Sequence, residues 1–190
     1  PLYEARRDGP VRVLMLGMGQ VGRSLFRTMA SMGVIGKHAP EFHLVDQNIN
    51  NILANMKQLY PELVKNLAVT PNRRDAQSSA LNGLLEKNSF DYIVVALGED
   101  ERNLRVASAL DRYYRKQYWS GKRSALPRLC VNLEDETKAQ STRRIYPSEG
   151  LNPWEPGFTV FGTDPQVFSA EVLLPRALWD AARSLHALLH

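Results

Sequence analysis

The order of hydrophobic and polar positions along the chain predicts strands alternating with helices. Short apolar runs indicate buried strands, whereas apolar residues three or four positions apart indicate amphipathic helices. The predicted strands cover 11–16, 42–45, 67–70, 90–97, 128–133 and 158–161, and the predicted helices cover 20–32, 49–59, 76–86, 99–118 and 167–189. Because such alternation builds parallel sheets covered on both faces, we predict an α/β fold: a Rossmann-type doubly wound parallel sheet with a C-terminal helical extension.

A change in composition divides the chain in two. Residues 148–157 are rich in Pro, Gly and Asn, which is typical of a linker or an ordered loop. We therefore predict a Rossmann nucleotide-binding domain over residues 1–147, followed by a linker, a short strand and a C-terminal helix over residues 148–190. The chain begins at Pro1 and ends at His190 inside a helical pattern, so we expect it to be part of a longer protein.

The composition narrows the function classes. Hydrophobic residues make up 44% and charged residues 23% of the 190 residues, as in an ordinary globular domain. The net charge is +4, but the basic residues are spread along the chain, so we expect no nucleic-acid partner. The single cysteine, Cys130, excludes a disulfide within the chain and is typical of a reducing compartment, which predicts a cytoplasmic location. We expect no metal site, and no apolar run is long enough to span a bilayer.

A glycine-rich turn joins the first predicted strand to the first predicted helix. Its residues are Gly17, Met18, Gly19, Gln20, Val21 and Gly22, which give the pattern G-x-G-x-x-G. In this context Gly17 permits a tight turn, Gly19 lets the backbone approach a pyrophosphate, and Gly22 lets helix and strand pack closely. The start of the helix offers free backbone N–H groups to the phosphates. The turn therefore predicts a site for NAD or, alternatively, for ATP or ADP.

The second predicted strand ends at an acid, Asp46. It lies 24 positions after Gly22, close to the spacing of about 20 residues expected for an acid that binds ribose hydroxyls. Its carboxylate would also repel a 2′-phosphate. Gln47 follows, and no basic residue occurs before Lys57, which favours NAD over NADP. The other interpretation is a Rossmann domain whose glycines serve packing alone and whose nucleotide site is empty.

A second informative turn follows the fourth predicted strand. Leu97 and Gly98 are followed by three acids, Glu99, Asp100 and Glu101, which suit the positive end of a helix dipole. Because these acids would repel a phosphate, the phosphates belong on the first helix. We expect the turn at Leu97 and Gly98 to face the adenine, the ribose or the group beyond them.

Together these segments resemble the RCK family, also called TrkA-N domains, the cytoplasmic nucleotide-binding regulators of potassium channels and transporters. The residues that carry the resemblance lie at 17–25, 45–46, 94–98, 100–101 and 103–104, within residues 11–133. The resemblance implies that Asp46 holds the adenosine ribose and that Gly98 and Asn103 border the ligand. It also implies a regulatory role in potassium transport, exercised in a homo-oligomer or against a partner domain of a larger protein.

The chain departs from the family pattern after the third strand. The family often has Gly-Asp-Ala or Gly-Asp-Thr there, whereas this chain has Arg73-Arg74-Asp75-Ala76, displaced by what we interpret as an extra loop after Thr70-Pro71. The resemblance implies an adenine-side contact for Asp75. After the fifth strand, where the family often has an arginine, the chain has Val131-Asn132.

Three functions are consistent with these residues. The first is a non-catalytic regulatory module that binds NAD(H) or another adenine nucleotide, which agrees with the resemblance and with the lack of an assigned acid, base or nucleophile near Gly98. The alternative is the cofactor-binding domain of an NAD-dependent dehydrogenase, whose catalytic residues lie elsewhere. The third is an interaction scaffold whose pocket binds nothing.

Overall fold

The computed structural model describes residues 9–31, 38–65, 67–78, 80–146, 154 and 157–162. Within them the chain forms strands and helices in alternation. The strands are β1 (Arg12–Leu16), β2 (Glu41–Val45), β3 (Ala68–Asn72), β4 (Tyr92–Val95), β5 (Arg128–Asn132) and β6 (Thr159–Phe161). The helices are α1 (Gln20–Ser31), α2 (Ile49–Leu59), α3 (Pro61–Lys65), α4 (Ala80–Lys87), α5 (Asp100–Trp119) and α6 (Glu136–Ile145).

The six strands form one parallel sheet in the order β3-β2-β1-β4-β5-β6. This order confirms the predicted Rossmann-type α/β fold. The chain moves outwards from β1 to β3 and then returns to place β4 on the other side of β1. At such a switch point the loops on either side of β1 leave in opposite directions and open a crevice at the carboxyl ends of the strands.

Both faces of the sheet are covered, which explains the nearly continuous apolar runs of its strands. Successive residues of β1 point to opposite faces. Leu14 and Leu16 belong to a core with α4, α5 and α6, whereas Val13 and Met15 belong to a core with α1, α2 and α3. The glycine turn and the ends of β2, β4 and β5 are therefore fixed by a packed sheet, which gives a site at that edge a rigid base.

Strand β3 continues where the sequence suggested a loop. It runs through Pro71 to Asn72, and Pro71 is in register with Leu44 of β2. The loop that we interpreted as an extra one after Thr70-Pro71 therefore begins later, after Asn72. Among the described strands, β3 is at the edge of the sheet and pairs with β2 alone, so a residue without a backbone N–H is tolerated there. As a result, Asp75 follows closely after a strand end.

Other boundaries also differ from the prediction. Helix α4 begins at Ala80 rather than at residue 76, because Asp75 forms a turn in which its carboxylate accepts the Gln77 N–H over 2.9 Å. Helices α3 and α6 were not predicted. The predicted short strand over 158–161 corresponds to β6, which pairs with β5. The predicted C-terminal helix over 167–189 lies outside the described residues, as does most of the predicted linker.

None of the helices among the described residues has the length and apolar character needed to span a bilayer.

Candidate functional site

Two glycines of the turn are required by the packing of the protein itself. Gly17 has a φ of 92°, and a Cβ there would lie 2.1 Å from the carbonyl oxygen of Ala96. A Cβ on Gly22 would lie 2.1 Å from the carbonyl oxygen of Gly17. Both contacts are with backbone, which cannot move aside cheaply, so these two glycines need no ligand to explain them.

Gly19 is different, because no contact among the described residues requires a glycine there. A Cβ at Gly19 would meet no atom within 4 Å and would project into open space. The same space lies at the start of α1, whose first turn carries no acidic residue. The earliest backbone bond there runs from the Arg23 N–H to the Gly19 carbonyl over 3.0 Å, so the preceding N–H groups lack intrahelical acceptors. A glycine facing free N–H donors is what a diphosphate site needs.

Asp46 connects the end of β2 to the glycine turn. Its Oδ2 accepts the backbone N–H of Met18 over 2.9 Å, and its Oδ1 accepts the N–H of Asn48 over 2.8 Å. The neighbouring carbonyl of Val45 accepts the N–H of Gly17 over 2.9 Å. An ionised carboxylate has about four acceptor positions, so roughly two remain for a ligand such as a pair of ribose hydroxyls.

A cleft of ≈ 360 Å³ opens at the carboxyl ends of the strands. Most of the predicted site residues meet in it. Those that line it are Gly17, Gly19, Gln20, Val21, Asp46, Gln47, Asp75, Leu97 and Gly98. Its volume and its place at the switch point are typical of small-molecule sites in open α/β sheets.

Three predicted residues lie outside the lining of the cleft. Met18 has its side chain in the core, 1% exposed, and Gly22 packs against the turn. Asn103 is completely buried: its Oδ1 accepts the N–H of Leu97 over 2.7 Å, and its Nδ2 donates to the carbonyl of Asn132 over 2.8 Å. Asn103 therefore ties the ends of β4 and β5 together beneath the cleft.

The cleft also contains charged residues that sequence reasoning missed. Arg74, Arg102 and Glu134 line it, and Nη2 of Arg102 lies 3.1 Å from Oδ1 of Asp75. The backbone N–H of Gln77, followed by Arg102 and a side-chain hydrogen bond from Gln47, holds the pKa of Asp75 below its usual value. No local pattern signals the pairing of Arg102 with Asp75, because it depends on how the loop after β3 meets α5.

The acids at the start of α5 do more than favour the helix dipole. Asp100 accepts the N–H groups of Glu134 and Asp135 over 2.9 and 3.0 Å, one on each carboxylate oxygen. Glu101 pairs with Lys138 of α6, which lowers the pKa of Glu101 and raises that of Lys138. The start of α5 thereby holds the loop between β5 and α6 beside the cleft.

No protein-family model, curated protein or solved structure matches the chain. The sheet order and the tightly packed glycine turn between β1 and α1 establish a Rossmann-like α/β domain. This fold and the cleft are consistent with nucleotide binding, whereas the resemblance to RCK domains stays a prediction. Among the described residues, no three His, Cys, Asp or Glu side chains gather as they would to hold a metal ion.

Proposed function

We propose that this chain is a regulatory nucleotide-binding domain, without catalytic activity of its own, that holds NAD(H) or another adenine nucleotide in the cleft above β1. The observation that carries the proposal is Gly19. No contact among the described residues explains its missing side chain, and it lies at the open start of α1, next in the turn to Met18, whose N–H binds the carboxylate of Asp46.

The start of α1 is a better phosphate site than the start of α5. α1 has no acid in its first turn, whereas α5 has Asp100 and Glu101 there. Phosphate oxygens bind favourably to free N–H groups at the positive end of a helix dipole and are repelled by carboxylates. A diphosphate at Gly19 would therefore be bound by the backbone, with no lysine or arginine needed.

The side of the cleft next to β2 and β3 suits an adenosine. Asp46 ends β2 and keeps acceptor positions for ribose hydroxyls. Gln47 and Asp75 line the same side of the cleft, so we expect a base attached to that ribose to contact them. The ionised Asp75 is an acceptor, which matches the exocyclic amino group of adenine.

A regulatory role is supported by the resemblance to RCK domains and by the way the cleft is built. Its walls come from loops after β1, β2, β3, β4 and β5, so a ligand would contact several segments at once. A preference of a few kcal/mol for one arrangement of these loops would be enough to change contacts with a twin subunit or with a partner domain. Control of potassium transport is the specific role that the resemblance suggests.

Titration calorimetry with NAD⁺, NADH, ADP and ATP tests the proposal, with Gly19→Ala as the decisive variant. The added methyl group meets no atom of the described residues within 4 Å, so the free energy of unfolding should stay within about 1 kcal/mol of the unmodified chain. The methyl would occupy diphosphate space, so affinity should fall at least roughly tenfold, the equivalent of about 1.4 kcal/mol.

Gly83→Ala is the matched control. Gly83 lies in α4, and a Cβ there also meets nothing within 4 Å, but it is remote from the cleft. It should leave every affinity unchanged. Equal affinities of the Gly19→Ala and Gly83→Ala chains would contradict the diphosphate site. Turnover of simple hydroxy acids with NAD⁺ would instead support the alternative, the cofactor domain of a dehydrogenase.

A further inference from the structure

The charges of the cleft are unevenly distributed. On the side of β2 and β3, the carboxylates of Asp46 and Asp75 are balanced by the guanidinium groups of Arg74 and Arg102. On the side of β4 and β5, the described lining residues are apolar, glycine or amide except for Glu134. That side therefore has the negative charge of Glu134. Arg102 of α5, which follows β4, also lines the cleft, but its guanidinium is paired with Asp75.

Glu134 is held in place by its backbone. Its N–H donates to Asp100 Oδ1 over 2.9 Å, and the N–H of Asp135 donates to Oδ2 over 3.0 Å. Hydrogen bonds to a carboxylate are among the stronger ones in proteins, so this loop is anchored beside α5. The side chain of Glu134 is exposed and lines the cleft.

A lysine of α6, Lys138, does not cancel this charge. Lys138 is paired with Glu101, and its pKa is raised first by that hydrogen bond and then by the charges of Glu101, Asp135 and Asp100. The direction of this shift is what a negative local potential produces. Carboxylates therefore outnumber ammonium groups around the β5 side of the cleft.

This side is where the second half of a dinucleotide would lie. With the diphosphate at Gly19 and the adenosine ribose at Asp46, the ligand has only the β4 and β5 side left for the group beyond the diphosphate. In NAD⁺ that group is a cationic ring, and in NADH the ring is neutral. In ATP the corresponding position holds an additional anionic phosphate.

We propose that Glu134 makes the β4 and β5 side of the cleft selective for positive charge, so that the site binds NAD⁺ more tightly than NADH, and ADP more tightly than ATP. The inference rests on the proposed function, since it assigns the orientation of a nucleotide in that site. Glu134 is solvent-exposed, so its charge is screened, and each preference should be about two- to five-fold in dissociation constant.

The test is calorimetric titration of the unmodified chain, Glu134→Gln and Glu134→Lys with NAD⁺, NADH, ADP and ATP at low ionic strength. Glu134→Gln should bring both ratios close to one, and Glu134→Lys should invert them. Glu86→Lys is the matched control: Glu86 is also exposed but lies in α4, outside the cleft, so the same charge change there should leave both ratios unaltered. In about 1 M salt, where the Debye length is about 3 Å, the preferences of the unmodified chain should shrink.

Two outcomes overturn the inference and are distinct from each other. If the nucleotides bind but NAD⁺ and NADH bind equally, or if Glu134→Lys keeps the original ratios, the inference is wrong and the proposed function stands. If none of the four nucleotides binds the unmodified chain, the proposed function fails and the inference fails with it.

Discussion

The carboxylate of Asp46 accepts the backbone N–H of Met18, with 2.9 Å between Oδ2 and the nitrogen. This bond joins the end of β2 to the middle of the glycine turn. The other carboxylate oxygen of Asp46, Oδ1, accepts the N–H of Asn48 over 2.8 Å. Asp46 therefore shapes the cleft in addition to the ribose-binding role proposed for it, and an experiment on Asp46 must separate these two effects.

Asp46→Asn is predicted to lower both stability and affinity. An amide nitrogen cannot accept a hydrogen bond, so one of the two backbone N–H groups loses its acceptor. The expected cost is about 1–3 kcal/mol in the free energy of unfolding, measured by urea denaturation. The affinity for ADP, measured by calorimetry at a temperature where the variant is folded, should fall at least roughly tenfold.

A nucleotide that lacks one hydroxyl separates binding from loop structure. If Asp46 holds the ribose as proposed, its carboxylate accepts from the 2′-hydroxyl, and the unmodified chain should bind ADP more tightly than 2′-deoxy-ADP. In Asp46→Asn this difference should shrink, as expected when both halves of one interaction have been removed. An undiminished preference for ADP in the variant would mean that Asp46 supports the turn and does not hold the ribose.

Alanine should destabilise the chain at Gly22 of the glycine turn and stabilise it at Gly83 of α4. Gly22→Ala places a Cβ 2.1 Å from the carbonyl oxygen of Gly17, so the helix must move away from the strand. We expect a loss of about 1–3 kcal/mol in the free energy of unfolding. Gly83→Ala, in the open middle of α4, should instead stabilise the chain by about 0.5–1 kcal/mol. Equal thermal unfolding of the two variants would contradict the close packing at Gly22.

Asn103 was expected to border the ligand, and its hydrogen bonds predict a structural effect. Asn103→Ala would leave the Leu97 N–H and the Asn132 carbonyl without their partner in a buried place. The free energy of unfolding should fall by about 2–4 kcal/mol. In the folded variant, ADP affinity should fall less than it does in Gly19→Ala. A larger loss of affinity than in Gly19→Ala, with stability unchanged, would favour direct ligand contact by Asn103.

The features that could be predicted from the sequence are those with a local cause. The bounds of α2, Ile49–Leu59, agree with the prediction because its apolar spacing is regular and helix-breaking signals flank it. The glycine turn was recognised because its glycines answer to short-range contacts. Gly22 packs against Gly17 of the same turn, and Gly17 packs against Ala96, just after the neighbouring strand β4. Asp46 was found from its place at a strand end.

The features that could not be predicted depend on distant neighbours. Helix α6 buries only Ala139 and Thr142, so its sequence has almost no apolar periodicity. Pro71 argues against a strand until the sheet order shows that β3 is at an edge. The pairing of Arg102 with Asp75 joins residues 27 positions apart, and their proximity follows from the return of the chain across the sheet.

His43 links the stability of the sheet to pH. It lies on β2, its ring packs edge-to-face on Phe90 with 5.1 Å between ring centroids, and its Nδ1 is buried with no hydrogen-bond partner among the described residues. Burial lowers the pKa of His43 below the usual 6.5, and Arg12 lowers it further, whereas Glu41 acts in the opposite direction. The imidazole of His43 is therefore protonated at a lower pH in the folded chain than in the unfolded chain.

The sign of the pH effect follows from that difference. Below pH 6.5, and down to the lowered pKa of the folded state, the unfolded chain binds more protons at His43. The free energy of unfolding should therefore decrease as the pH falls through this window, and urea denaturation at about pH 7.5 and about pH 5.5 measures it. His43→Phe keeps an aromatic ring beside Phe90 and removes the titration, so its stability should decrease less. An equal decrease in both chains would assign the effect to carboxylates elsewhere.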